Sequence, residues 1–218
     1  MGSTRKPGRY NDSRINRPSR KERKVLVVAF GHRKYVGKDT CARLLSTILK
    51  TNTRGLNIQR KGFADKLKDD CYSLYGWAGL KPRQHYDEQG REKEKDAILP
   101  VIGKSARQIW IEYGMAMRAI YEHTWVDYLF KGTRADVLLI TDMRFDNEFD
   151  RVESLGGLRY RVDNPRIPPT DDVADKPLAC KPASAWTGII ENAGSLQNLN
   201  AHLENIAREI ILPKLKAA

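Results

Sequence analysis

The sequence predicts an α/β domain whose central, mostly parallel sheet is flanked by helices in three layers. Three observations carry that prediction. Short runs of branched apolar residues at 24–30 and 136–142 look buried on both faces, as strands of a parallel sheet are. Segments with apolar residues at helical spacing alternate with such strands. A glycine-containing turn joins the first strand directly to the first helix, which begins a βαβ unit.

The elements follow in order. Residues 24–30 form a strand and 39–50 a helix, with Ala42, Leu44, Leu45, Ile48 and Leu49 at helical spacing. Residues 56–63 make a weaker strand, and 64–75 a helix. Segment 79–97 is highly charged and contains Pro82 and Gly90, so it is expected as a surface loop or mobile flap. A long helix covers 104–121 and a short one 124–130. Strand 136–142 is the clearest of the later strands. Helix 145–155 stops at Gly156-Gly157. A strand at 158–162, a proline-rich loop at 163–185 and a strand at 187–191 come next. Ser195 caps a last helix that reaches Leu212. No internal repeat is visible.

With 218 residues and 40% hydrophobic content, the chain suits one domain with a real core. No run approaches the ~20 apolar residues of a membrane span, and no apolar stretch near the start reads as a secretory signal. Cys41, Cys71 and Cys180 lie far apart, without metal-ligand spacing, and are expected as reduced thiols. A cytoplasmic location follows as the expectation. The net charge is +12, and residues 1–24, with nine basic and two acidic side chains, hold +7 of it. Residues 1–23 are therefore expected as a disordered basic leader before a domain at 24–218. The leader is either a solvated tail or a tether to nucleic acid or a partner.

The strongest chemical signal is the stretch from Gly31 to Thr40, Gly-His-Arg-Lys-Tyr-Val-Gly-Lys-Asp-Thr. Glycines let backbone N–H groups turn around a phosphate, a lysine reaches the β- and γ-phosphates, and a helix N-terminus favours the anion. The candidate ATP residues are Gly31, Val36, Gly37, Lys38, Asp39 and Thr40. Five residues separate the glycines instead of the usual four, and Asp39 stands where Ser or Thr is usual. Asp39 is expected either near Mg²⁺, through water, or as a base toward the acceptor. Thr40 is expected on a phosphate oxygen or on Mg²⁺. This makes the fold a three-layer P-loop kinase fold.

Asp142 and Arg144 end the second buried strand, where ligands of open α/β sheets bind. Asp142 can serve the metal or the acceptor, and Arg144 can reach transferring phosphate oxygens. The alternative is a pair that caps the next helix. On the long middle helix, Arg107 and Arg118 can bind a monophosphate, and Trp125 can stack a base. The alternative there is a solvated basic face with a core tryptophan.

The chain resembles the deoxynucleoside monophosphate kinases of bacteriophages. Gly37-Lys38-Asp39-Thr40 is one resemblance, and Phe63-Ala64-Asp65-Lys66-Leu67-Lys68 is similar to the family's Phe-Ala-Asp-Pro-Leu-Lys. Ser105-Ala106-Arg107-Gln108 with Gly114 and Trp125 is similar to its acceptor helix. Asp142-Met-Arg144-Phe-Asp-Asn147-Glu148 is similar to its Asp-x-Arg-Phe-x-Asn-Glu, and residues 189–196 to its late strand, turn and helix. Lys66 replaces a frequent proline, and Met115 a frequent threonine. The resemblance implies transfer from ATP to a dNMP with Mg²⁺ as cofactor, and a homodimer. It implies an acceptor site of Arg107, Gln108, Gly114, Trp125, Asp142, Arg144 and Glu148, with Lys38, Asp39 and Arg144 catalytic and Asp39 and Thr40 at the metal. Two other readings stay open: a kinase for another acceptor (a ribonucleoside monophosphate, another small molecule or a polynucleotide 5′-hydroxyl), or a non-catalytic nucleic-acid-binding protein.

Overall fold

Strand β1, Leu26–Gly31, sends alternate side chains to opposite layers, and that alternation organises the molecule. The computed structural model describes residues 24–88, 90–168 and 177–217. Val28 and Phe30 face a layer made by α1 (Lys38–Asn52) and α7 (Leu196–Ile206). Val27 and Ala29 face the opposite layer, made by α5 (Thr124–Phe130) and α6 (Asp146–Ser154). Between them lies a five-stranded sheet in the order β2, β5, β1, β6, β7. The added strands are β2 (Ile58–Lys61), β5 (Val137–Met143), β6 (Leu158–Asp163) and β7 (Gly188–Glu191). Every pairing in this sheet is parallel. The three-layer α/β fold expected from the sequence is the fold observed.

β1 is central, with β5 on one side and β6 on the other. Its Val28, Ala29 and Phe30, and Val137 to Ile140 of β5, are all fully buried. That explains why both strands read as continuous apolar runs. A third cluster stands apart from the sheet. It joins α2 (Asp65–Tyr75), α3 (Arg83–Asp87), α4 (Ala106–Ile120) and the start of α5 through Leu67, Cys71, Tyr86, Ile109, Trp110 and Trp125. Two arginines of α4 link this satellite to the segments that follow β1 and β5, Arg107 to Tyr35 and Arg118 to Glu148.

Segment 79–97 is more ordered than the sequence suggested. It carries α3 and a 3₁₀ turn at Glu92–Asp96. A two-stranded antiparallel hairpin, β3 (Ile98–Leu99) with β4 (Lys104–Ser105), follows. Charge hid these elements, because Tyr86, edge-on to Trp110 at 5.2 Å, is the one buried side chain of α3, while Arg83 pairs with Asp65 and Asp69 of α2. In 163–185, the described part includes 3₁₀ turns at Pro177–Cys180 and Ala183–Ala185. Ser195 caps α7 as expected, its Oγ accepting from the Asn198 N–H at 3.2 Å. The helix then runs past 212: a π turn at Ala207–Ile211 leads into α8, Leu212–Ala217. Among the described residues no helix is long and apolar enough to cross a membrane. Cys41, Cys71 and Cys180 are free thiols. The leader, 1–23, lies outside the described residues.

Candidate functional site

The loop from Gly31 to Gly37 closes β1 onto α1 with unusual backbone angles. His32 has φ 98°, Tyr35 φ 64° and Gly37 φ 102°. A left-handed non-glycine residue costs about 1–3 kcal/mol and persists only where its surroundings hold it. Both non-glycine residues are held. His32 Nδ1 lies 2.8 Å from Asp163 Oδ1 at the end of β6. Burial lowers the His32 pKa, and Asp163 opposes that shift. The Tyr35 hydroxyl accepts from Arg107 Nη2 at 2.7 Å, from the first turn of α4. At Gly37 a side chain is excluded twice, by the positive φ and because a Cβ would sit 2.3 Å from Asn192 Nδ2. That same Asn192 amide donates to Val36 O at 2.9 Å, so the turn after β7 buttresses the loop.

Within the loop, Lys38 is nearly buried and turns back to donate to His32 O at 3.2 Å and to Arg33 O. Val36 is fully buried in the sheet core, so its side chain anchors the loop. Gly31 ends β1 against Met143 and Trp186. Asp39 is exposed and Thr40 half-buried in the first turn of α1. These six residues lie at the two ends of the loop that joins the carboxyl end of β1 to the first turn of α1.

The other predicted residues separate into three groups. Arg107 belongs with the loop: besides Tyr35, its Nε donates to Asp96 Oδ1 at 2.6 Å. Gln108, beside it, closes a capping box for α4, its Oε1 accepting from the Ser105 N–H at 2.8 Å. Gly114 and Trp125 pack together. A Cβ at Gly114 would lie 2.5 Å from Leu67 Cδ1, so the glycine lets α4 close onto α2. Trp125, only 4% exposed, donates its indole N–H to Gly114 O at 3.2 Å. Its faces are in the satellite core, which is the core-tryptophan alternative. The large apolar side chains that α4 leaves exposed are Ile111, Met115 and, at its end, Ile120. At about 100° per residue, Arg107, Ile111 and Arg118 share one side of the helix, with Met115 next to them.

The third group is the turn from β5 into α6. Asp142 Oδ1 accepts from the Phe63 N–H at 2.7 Å and Oδ2 from the Ala64 N–H at 3.0 Å. It thus ties the loop before α2 to the sheet, and Gly62 has no Cβ to block the approach. Buried Glu148 accepts from the N–H groups of Arg144 and Phe145, at 2.8 and 3.2 Å. Its other oxygen accepts from Arg118 at 2.6 Å. Arg118 also lies over the Phe145 ring at 4.0 Å. Burial, reinforced by Asp142, pushes the Glu148 carboxyl up to about 7, while Arg118 and the two N–H groups oppose this. Arg144 is half-buried between these two carboxylates in sequence.

Reading the sequence alone missed Tyr35, Asp163, Asp96 and Asn192. Tyr35 and Asn192 lie inside motifs already noted, so their positions were visible but their contacts were not. Asp96 sits in the charged segment, where no periodicity marks it. A cavity of about 450 Å³ between α5 and α6 is lined by Glu122, Asp127, Asp146 and Asp150. His123 and Arg151 line it as well, and it includes no residue of the phosphate loop.

No family model matches the chain. It is 24% identical over 167 residues, 68% of this chain and 82% of the relative, to an Acanthamoeba polyphaga mimivirus protein named "Putative deoxynucleotide monophosphate kinase". That relative is viral but not from a bacteriophage. A solved structure from Chloroflexus aurantiacus J-10-fl, described as a "putative kinase", aligns over 86% of this chain and 99% of its own at 14% identity, with a TM-score of 0.39. The chain is thus similar in sequence to a viral protein whose name is that of a deoxynucleotide kinase.

Proposed function

We propose that this protein is a P-loop kinase that transfers the γ-phosphoryl group of ATP to a deoxynucleoside monophosphate, giving ADP and a dNDP. The observation that carries the reading is the joined cradle of Lys38, the loop and Arg107. A strained phosphate loop opens α1, and an arginine from the facing helix reaches its Tyr35. The similarity to the mimivirus protein supports the deoxynucleotide acceptor. Supply of DNA precursors, in a phage or another virus, is the role that fits.

Phosphoryl transfer needs alignment and charge neutralisation more than covalent help. Lys38 exchanges its loop carbonyls for the β- and γ-oxygens of ATP. The first turn of α1 adds its positive dipole end. Arg107 and Arg144 hold the acceptor phosphate in line. An acceptor phosphate oxygen bonds to the γ-phosphorus as the bond to the β–γ bridging oxygen breaks. Asp142 and Glu148 build the wall on which Arg144 stands.

Among the described residues no group of three His, Cys, Asp or Glu could hold a metal. Asp39 and Thr40 nevertheless fit Mg²⁺, which keeps most of its waters and takes one or two protein oxygens plus substrate phosphates. Mg²⁺ held by Asp39 and Thr40 would supply charge neutralisation of the ATP phosphates. Lys38→Ala tests the assignment. Phosphoryl transfer from ATP to dNMP should fall by about 10²-fold or more, and near-normal transfer would sink the reading.

A further inference from the structure

Five residues separate Gly31 from Gly37, one more than the usual spacing. The fifth, Val36, is fully buried in the sheet core, and Asn192 donates to its carbonyl at 2.9 Å. Immediately before it the chain turns through a left-handed residue, Tyr35, at φ 64°. Val36 therefore points into the core and Tyr35 out of it. Between the two glycines Tyr35 is the one exposed side chain, at 49%. It leaves the loop toward α4 and meets Arg107. Its hydroxyl accepts from Nη2 at 2.7 Å, and Arg107 Cζ stands 6.0 Å from the ring centroid.

Asp96 holds the same edge of the guanidinium, Oδ1 accepting from Nε at 2.6 Å and Oδ2 from Nη2 at 3.3 Å. An arginine carries five N–H donors in a rigid fork. Asp96 and Tyr35 use three of them, and the two on Nη1 bond to nothing among the described residues. One edge of a planar group is thus fixed, and its remaining amino group is left for an anion. Of the two partners that fix it, Tyr35 is the one that belongs to the phosphate loop.

We propose that Tyr35 is a positioning residue that holds Arg107 for the acceptor monophosphate, so that a nucleotide in the phosphate loop tightens binding of the acceptor. The inference rests on the kinase reading and adds a regulation of that site. Phosphates that draw Lys38 away from the carbonyls of His32 and Arg33 order the loop just ahead of Tyr35. An ordered Tyr35 orders Arg107, and the acceptor then meets an arginine whose rotamer freedom is already lost. Tyr35 touches no reacting atom and exchanges no proton. By linkage the effect is reciprocal, so a bound acceptor tightens the nucleotide by the same factor.

The test compares the full-length wild type with Tyr35→Phe, Arg107→Ala and the double variant. Tyr35→Phe keeps the ring and removes only the hydroxyl. Calorimetry gives the Kd of dAMP, dCMP, dGMP and dTMP, each alone and with saturating ADP. Steady-state ADP release gives KM for ATP and for each dNMP. The wild type should bind its dNMP about fivefold more tightly when ADP is present. Tyr35→Phe should abolish that gain and raise KM for the dNMP about fivefold, with KM for ATP within about twofold. In the Arg107→Ala background the same substitution should change kcat/KM by less than about twofold, because the tyrosine acts through the arginine. A merely structural role would move the ATP and dNMP parameters together, and that result overturns the proposal. So does an ADP effect that survives Tyr35→Phe, or an equal penalty in both backgrounds. A wild type that turns over a dNMP but binds it equally with and without ADP overturns the proposal alone. One that turns over no dNMP overturns the kinase reading and the proposal with it.

Discussion

Replacing Asp142 by Asn separates an anchoring role from a reacting one. The carboxylate accepts two backbone N–H bonds, 2.7 Å from Phe63 and 3.0 Å from Ala64. A hydrogen bond to a charged group is worth about 1.5–3 kcal/mol. The amide keeps one acceptor oxygen, but its NH₂ must face the second N–H, so one bond is lost and the other weakened. The cost is about 2–3 kcal/mol. For a domain of this size each kcal/mol lowers the melting temperature by about 2–4 °C, so a fall of about 5–10 °C is expected. The loop before α2 also loosens, and with it Lys68. Calorimetric melting and dNMP turnover on the same preparation measure both effects. If melting stays within about 1 °C of wild type while turnover drops about 10²-fold, Asp142 reacts rather than anchors, and the reasoning is refuted.

Two further predictions come from the same region. Glu148 has its carboxyl raised by burial, so its contribution to stability is full below about 4.5 and is lost as the pH rises through about 7. The stability difference between wild type and Glu148→Gln should therefore decline over that window by at most about 1.4 kcal/mol per pH unit. Urea melts from pH 4.5 to 8 measure it, and a flat or rising difference contradicts the burial argument. Trp125→Phe should destabilise the protein but leave relative turnover of the four dNMPs within about twofold, whereas Met115→Ala should alter it, because Met115 is exposed and Trp125 is not. A base preference that follows Trp125 instead would return the stacking role to the tryptophan.

The sheet was legible because its strands announce themselves. Val28 to Phe30 and Val137 to Ile140 are buried on both faces, and only branched apolar runs satisfy that. The phosphate loop was legible because its chemistry is local: glycine, lysine and helix start within ten residues. Contacts between distant segments were not. Nothing in the sequence pairs His32 with Asp163 or Tyr35 with Arg107, and α3 was masked by charge around one buried tyrosine. Trp125 illustrates the limit most clearly. An aromatic residue beside an acceptor motif suggests stacking, but its indole N–H meets Gly114 O in the satellite core. Residue type fixes what a side chain can do, while packing decides which of those things it does.

The most direct measurement is ADP release from ATP across the four dNMPs, the four NMPs and 5′-hydroxyl oligonucleotides, with the acceptor product identified. The account predicts that one or more dNMPs become dNDPs, with ADP released in equal amount. Transfer to ribonucleotides or oligonucleotides alone, or no transfer at all beside salt-dependent DNA binding, would contradict it.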